Sequence, residues 1–251
     1  MAVATYGALL WTGLDILGLP HKDTMVQTVK DSMKKLGSSS SSSGQDALRR
    51  AAKLRTGSLH LTALTGLTIV SGALVAGNDA GRAYNTFPTM DGQWIPSEIR
   101  DLQPWYRNMY ENTATVQFQH RILGLTTAAG AVGLATAGLT SASKMTALVS
   151  PQARIGLMAV GASAVGQVTL GVVTLLQYVP ISLAAAHQIG SIVVFTSGVY
   201  LAHSLRYARP AIVKQITAAA SKVSRSSSST ATASTASAGK NVAEAALKNV
   251  K

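Results

Sequence analysis

From position 155 to position 205 the chain runs for 51 residues without a Lys, Arg, Asp or Glu. A membrane-crossing helix needs about 20 apolar residues, so this run is too long for one crossing and suits two. Val179-Pro180 divides it, because proline lacks an amide hydrogen and pushes its predecessor out of the α region. The expected helices lie at about 155–178 and 182–206. Two more charge-free stretches have the right length, 57–77 with 21 residues and 122–143 with 22, and the second is expected to begin earlier, near Thr113. A shorter apolar stretch at 2–19 holds Asp15 and ends at Pro20. It is expected to be a fifth span or part of one, and it lacks the basic leader of a signal peptide. The reading is all-α. A partial transmembrane helix occupies 1–20, a basic Ser-rich linker 21–56, a polytopic four-helix transmembrane bundle 57–206, and a basic low-complexity tail 207–251.

Composition supports a membrane chain. Charged residues make up 13% and hydrophobic residues 47%, and the charged share is about half that of soluble domains. Both a soluble enzyme and a disordered chain are disfavoured. There is no Cys, which removes disulfides, thiolate metal sites, iron–sulfur clusters and cysteine nucleophiles. The net charge of +12 on a soluble domain would suggest nucleic acid. Here it sorts by segment: 22–55, 143–154 and 205–251 hold 18 Lys and Arg against 4 acids, whereas 78–119 holds 3 Arg against 5 acids. Four crossings put the three basic segments on one side, the positive-inside pattern. Lipid is therefore the expected partner and nucleic acid is not.

The 42-residue segment 78–119 carries seven of the thirteen aromatics. It reads as a membrane-surface cap with interfacial anchors or as a lid over a site on that face. Residues 37–44 read as a flexible linker and 221–239 as a disordered tract. A short helix is expected at 241–251.

His21 lies in a basic loop and is expected to be solvated. His120 falls about seven residues into the helix from Thr113, and His187 about six into the helix after Pro180. At 1.5 Å per residue both lie roughly 9–11 Å along helices that start on the aromatic-loop side. Two imidazoles at matched depth on neighbouring parallel helices either hydrogen-bond between helices or hold a cofactor in the bundle core. Protein-only zinc and copper sites want three or four ligands, and only Glu111 could join this pair. Two axial imidazoles suit a six-coordinate heme of the b type. Arg121 is then a candidate propionate partner, and Gln117 and Gln188 are candidates for orienting an imidazole through its other nitrogen. Gly124, Gly171 and Gly190 would let helices approach a flat ligand. His60 and His203, both on the basic side, either snorkel or ligate a second heme. Glu111 is either a proton donor or a helix N-terminal charge.

Three strings carry a family resemblance: VAGNDAGRAYNTFPTM at 75–90, NMYENTATVQFQHRILG at 108–124, and QVTLGVVTLLQYVPISLAAAHQIG at 167–190. Together they resemble the C-terminal half of the mitochondrial heme A synthase family. The opening residues, with LLWTGL at 9–14 and PHK at 20–22, resemble the last helix of that family's N-terminal half. The resemblance covers roughly residues 2–206. It implies an eight-helix protein of two similar bundles that oxidises a ring methyl of heme O to the formyl of heme A. It further implies a ferredoxin-type electron donor and a resident heme b on the residues matching His120 and His187. It places the protein in the mitochondrial inner membrane, with loop 78–115 toward the intermembrane space and the basic segments toward the matrix. No catalytic residue is identified, because the family's substrate-side histidines and acidic residue lie in the half that is absent here. The missing half is expected as upstream sequence, as a separate subunit, or as a second copy of this chain. A bis-His b-type cytochrome without hydroxylase activity is the alternative function.

Overall fold

The computed structural model describes residues 1–17, 42–144, 150–206 and 208. Among these residues the fold is entirely helical. The helices are α1 (Ala2–Ile16), α2 (Ser42–Gly77), α3 (Ala80–Ala83), α4 (Thr113–Lys144), α5 (Pro151–Leu176) and α6 (Ile181–Ser204), with a 3-10 turn at Trp105–Met109. Four of them, over Arg49–Gly77, Thr113–Thr140, Pro151–Leu176 and Ile181–Ser204, are long and apolar enough to cross a membrane. The polytopic all-α reading therefore holds. His21, most of the serine run, and the tail from 209 onward with its expected terminal helix lie outside the described residues.

Local chemistry sets the helix ends. Asn112 starts α4, its Oδ1 accepting the Thr115 amide at 2.9 Å. Ser150 caps α5 the same way for Ala153, with Pro151 at the first helical position; both side chains satisfy amides that lack intrahelical partners. The α5–α6 connection is a tight turn in which Tyr178 (φ 63°) and Val179 (φ 56°) are left-handed. That conformation is costly for a β-branched residue, and Pro180 follows to start α6.

Two boundaries differ from expectation: α5 begins at Pro151 and not near 155, and α2 begins well before 57. The second part of the linker assigned to 21–56 is helix, because α2 continues back to Ser42. Arg49, Arg50, Lys53 and Arg55 mark the end of the hydrocarbon-compatible stretch but not the end of the helix. Ala51, Ala52 and Leu54 are buried between them.

The four long helices form a ring in the order α2–α4–α5–α6, with α2 also packed on α6 and α1 docked outside against α6. Glycines let the helices close up: a Cβ on Gly156 of α5 would lie 3.1 Å from the Leu201 Cα of α6. The outer faces present exposed Ile122, Leu125, Val165, Ile189 and Val193, as a lipid-facing surface should. The apolar core, with Leu54, Leu61, Leu157, Val160, Leu201 and Leu205, fills the half of the bundle next to the basic segments. The half next to loop 78–112 is filled differently.

Candidate functional site: a pair of imidazoles on the bundle axis

α4 and α6 both start at the loop face and stand diagonally across the ring rather than side by side. His120 and His187 therefore point at each other across the bundle axis, with ring centroids 6.5 Å apart and planes at 88°. Each ring rests on a glycine of an adjacent helix. A Cβ on Gly72 of α2 would come within 3.1 Å of His120 Cε1, and one on Gly171 of α5 within 2.7 Å of His187 Cε1. Any side chain at either position would displace an imidazole. Of the other two glycines singled out by sequence, Gly190 packs against the Gln167 amide oxygen, and a Cβ at Gly124 would meet nothing within 4 Å.

The second nitrogens of the rings are treated unequally. Ser71 Oγ lies 2.8 Å from His120 Nδ1, whereas His187 Nδ1 is buried without a partner. The orienting role assigned to Gln117 and Gln188 is thus corrected. Gln117 lies one turn nearer the loop, and its Nε2 reaches the Tyr84 carbonyl at 3.4 Å. Gln188 is exposed, one helical step round from His187. Ser71 and Gly72 had no distinguishing sequence signal, since small residues are scattered along all of α2.

Orphaned polar atoms gather at this level. Gln117 Oε1, Arg121 Nε, Gln167 Oε1 and His187 Nδ1 are all buried and unpartnered. Buried polar atoms normally find partners, so this cluster fits a polar-edged ligand between the helices. A metal–imidazole bond is about 2.0–2.1 Å, so one ion shared by two imidazoles sets ring centres about 6 Å apart, close to the spacing found. Among the described residues no group of three His, Cys, Asp or Glu could hold a metal by itself. The donor set therefore fits an ion that brings its own equatorial ligands, as heme iron does.

Loop 78–112 closes over this end. Asp91 and Gly92, both at positive φ, make the tight turn between Met90 and Gln93, which bond each other's backbone. Asn108 Nδ2 donates to the Leu102 and Trp105 carbonyls, and Asn112 Nδ2 to the Glu98 carbonyl. Arg121 pins the loop from inside, donating to the Tyr84 carbonyl at 2.8 Å and the Thr89 carbonyl at 3.0 Å. Hydrogen bonds from charged donors contribute about 1.5–3 kcal/mol each. Arg121→Ala is expected to open segment 84–90 to limited proteolysis with helix content unchanged; equal cleavage rates would show the staple to be idle. Glu111 is exposed and held in its ionised form by Arg107, whose guanidinium bonds it and keeps its pKa below the ordinary carboxylate range. That opposes a proton-donor role.

His60 and His203 are not brought together. His60 is exposed on α2. His203 is fully buried, with Nε2 2.8 Å from Asp15 Oδ1 and its ring edge-on to Trp11 at 5.0 Å. Its ring nitrogens are spent anchoring α1, with Arg206 on the other side, so the second-heme option for this pair is withdrawn.

Fold and site together define a polytopic helical membrane protein with paired imidazoles beneath one membrane face. Residues 1–199 match the COX15-CtaA family model, described as cytochrome oxidase assembly protein. The chain is 43% identical over 171 residues to heme A synthase COX15 of Arabidopsis thaliana, covering 67% of this chain and 36% of that protein. It is 36% identical over 206 residues to heme A synthase of Nitrosospira multiformis, covering 82% and 50%. With heme A synthase COX15 of Homo sapiens it shares 38% over 213 residues, covering 82% and 43%. No solved structure matches. The chain belongs to the COX15-CtaA family, and it spans half or less of the length of these relatives.

Proposed function

We propose that this chain is the heme-b-bearing half of a heme A synthase, acting in heme A biosynthesis for cytochrome c oxidase assembly. The single observation that carries the reading is the meeting of His120 and His187 across the bundle axis at 6.5 Å. In this reading the 57–206 bundle is the heme-binding unit, 78–115 its intermembrane-space loop, and the mitochondrial inner membrane its location, with the basic segments toward the matrix. Bound there, heme b supplies one-electron redox chemistry. His120 and His187 would hold the iron, and Gly72 and Gly171 set the depth of their rings. Arg121 keeps its Nε for a propionate while its terminal nitrogens hold the loop. The loop shields this end of the bundle from water. In this reading, oxidation of the heme O methyl group draws on a second bundle, whether upstream sequence, a separate N-terminal half or a second copy of this chain, and on a ferredoxin-type electron donor.

The test is a reduced-minus-oxidised spectrum of the detergent-purified chain. Sharp b-type bands are expected, and their absence would sink the heme reading. The alternative, a bis-His cytochrome without hydroxylase activity, is favoured by one feature: among the described residues the chain offers one imidazole pair and no second. Conversion of heme O to heme A by the chain together with an N-terminal bundle would exclude it. Within the heme reading, Gly171→Ala is expected to lose more heme than Gly72→Ala, following the tighter approach at Gly171. Heme-to-protein ratios check that order, and the reverse order would show that ring crowding does not govern binding.

A further inference from the structure

Each imidazole of the pair rests on a glycine, and the residue before that glycine differs. Ser71 immediately precedes the glycine under His120, and Leu170 immediately precedes the glycine under His187. Ser71 Oγ is 2.7 Å from the Thr68 carbonyl and 2.8 Å from His120 Nδ1. A hydroxyl has one proton and a carbonyl only accepts. With the Ser71 proton given to Thr68, Ser71 Oγ accepts from an Nδ1–H of His120, a ring that also has the Thr68 backbone beside it. This leaves the His120 lone pair on Nε2, the coordinating tautomer. Leu170 offers no such hydroxyl: His187 has only the Gln167 backbone beside it, with no well-formed hydrogen bond at its Nδ1.

We infer that Ser71 is a positioning residue that makes His120 the stronger donor of an unequal axial pair and thereby lowers the midpoint potential of the centre. The inference rests on the bis-imidazole heme reading above. An imidazole that donates its Nδ1–H is the more basic ligand, and a more basic ligand favours ferric over ferrous iron.

The test is a potentiometric titration of the full chain in detergent, followed by its visible spectrum. Ser71→Ala is expected to raise the midpoint and to weaken heme retention about 10–100-fold. A tenfold loss of ferric over ferrous preference corresponds to about 59 mV for one electron. Ser71→Thr keeps the hydroxyl and is expected to restore both values. A heme-loaded Ser71→Ala with an unmoved midpoint overturns the inference, and so does a shift that Ser71→Thr fails to reverse. Should Ser71→Ala lose its heme entirely, Ser71→Cys offers a weaker acceptor. An intermediate midpoint there supports the inference and a wild-type midpoint overturns it. A wild-type chain without b-type bands sinks the proposed function instead, which separates the two failures.

Discussion

His120→Ala and His187→Ala should each abolish the b-type difference spectrum, whereas His60→Ala and His203→Ala should leave it intact. The two imidazoles come from helices diagonal in the ring, and each is wedged against its own glycine. Among the described residues no group of three His, Cys, Asp or Glu could hold an ion in place of the pair. His60 faces outward and His203 is committed to Asp15. The expected pattern is therefore all-or-none for one pair and silent for the other. His203→Ala should instead weaken the docking of α1, which a proteolysis time course would show. Half the heme disappearing in His60→Ala would contradict the one-pair reading.

Removing the cofactor should cost the bundle much of its stability. A ligand bound only by the folded state contributes about 4 kcal/mol at a thousandfold excess over Kd. For a chain of this size that corresponds to a fall in thermal midpoint on the order of 10 °C. The packing explains why the loss falls on one end. Leu157, Val160, Leu201 and their neighbours fill the basic-side half, whereas the loop-side half holds imidazoles, glycines and unpartnered polar atoms. Without a ligand that half rests on a few buried apolar residues, Met90, Val116 and Leu175 among them, around an axis lined by polar atoms. Detergent-solubilised apo and holo chains compared by thermal unfolding give the answer, and equal midpoints would mean that nothing fills the bundle axis.

The spans were legible because burial in lipid demands long uninterrupted apolar runs and because Pro180 divides the longest of them; the start at Ser150 was missed, since charge absence, not capping, set the expected edge at 155. The histidines stood out for the same reason: polar groups in an apolar run are costly. Other features depend on which neighbour faces which residue. Ser71 and Gly72 look like any other small pair on α2 until His120 is placed beside them. Gln188 follows a site histidine in sequence yet turns outward, because one residue turns a helix by about 100°, more than half way to the opposite face. Asp15 and His203 lie 188 positions apart, and no periodicity connects them. The helical stretch before Gly57 was hidden because charge reports the edge of the hydrocarbon, while helix continuation depends on Ala51, Ala52 and Leu54 finding a surface to cover.

In the proposed heme reading the depth of the imidazole pair would give the site a voltage sensitivity. His120 and His187 lie roughly 9–11 Å from the loop ends of their helices, about a third of a hydrocarbon layer about 30 Å thick. An electron delivered there from the loop face crosses about a third of the membrane field. At about 2.3 kcal/mol per charge per 100 mV for a full crossing, its energy changes by roughly 0.8 kcal/mol per 100 mV. One arriving from the opposite face crosses about twice as much of the field in the reverse direction, so an energised membrane would distinguish donors by the side from which they approach.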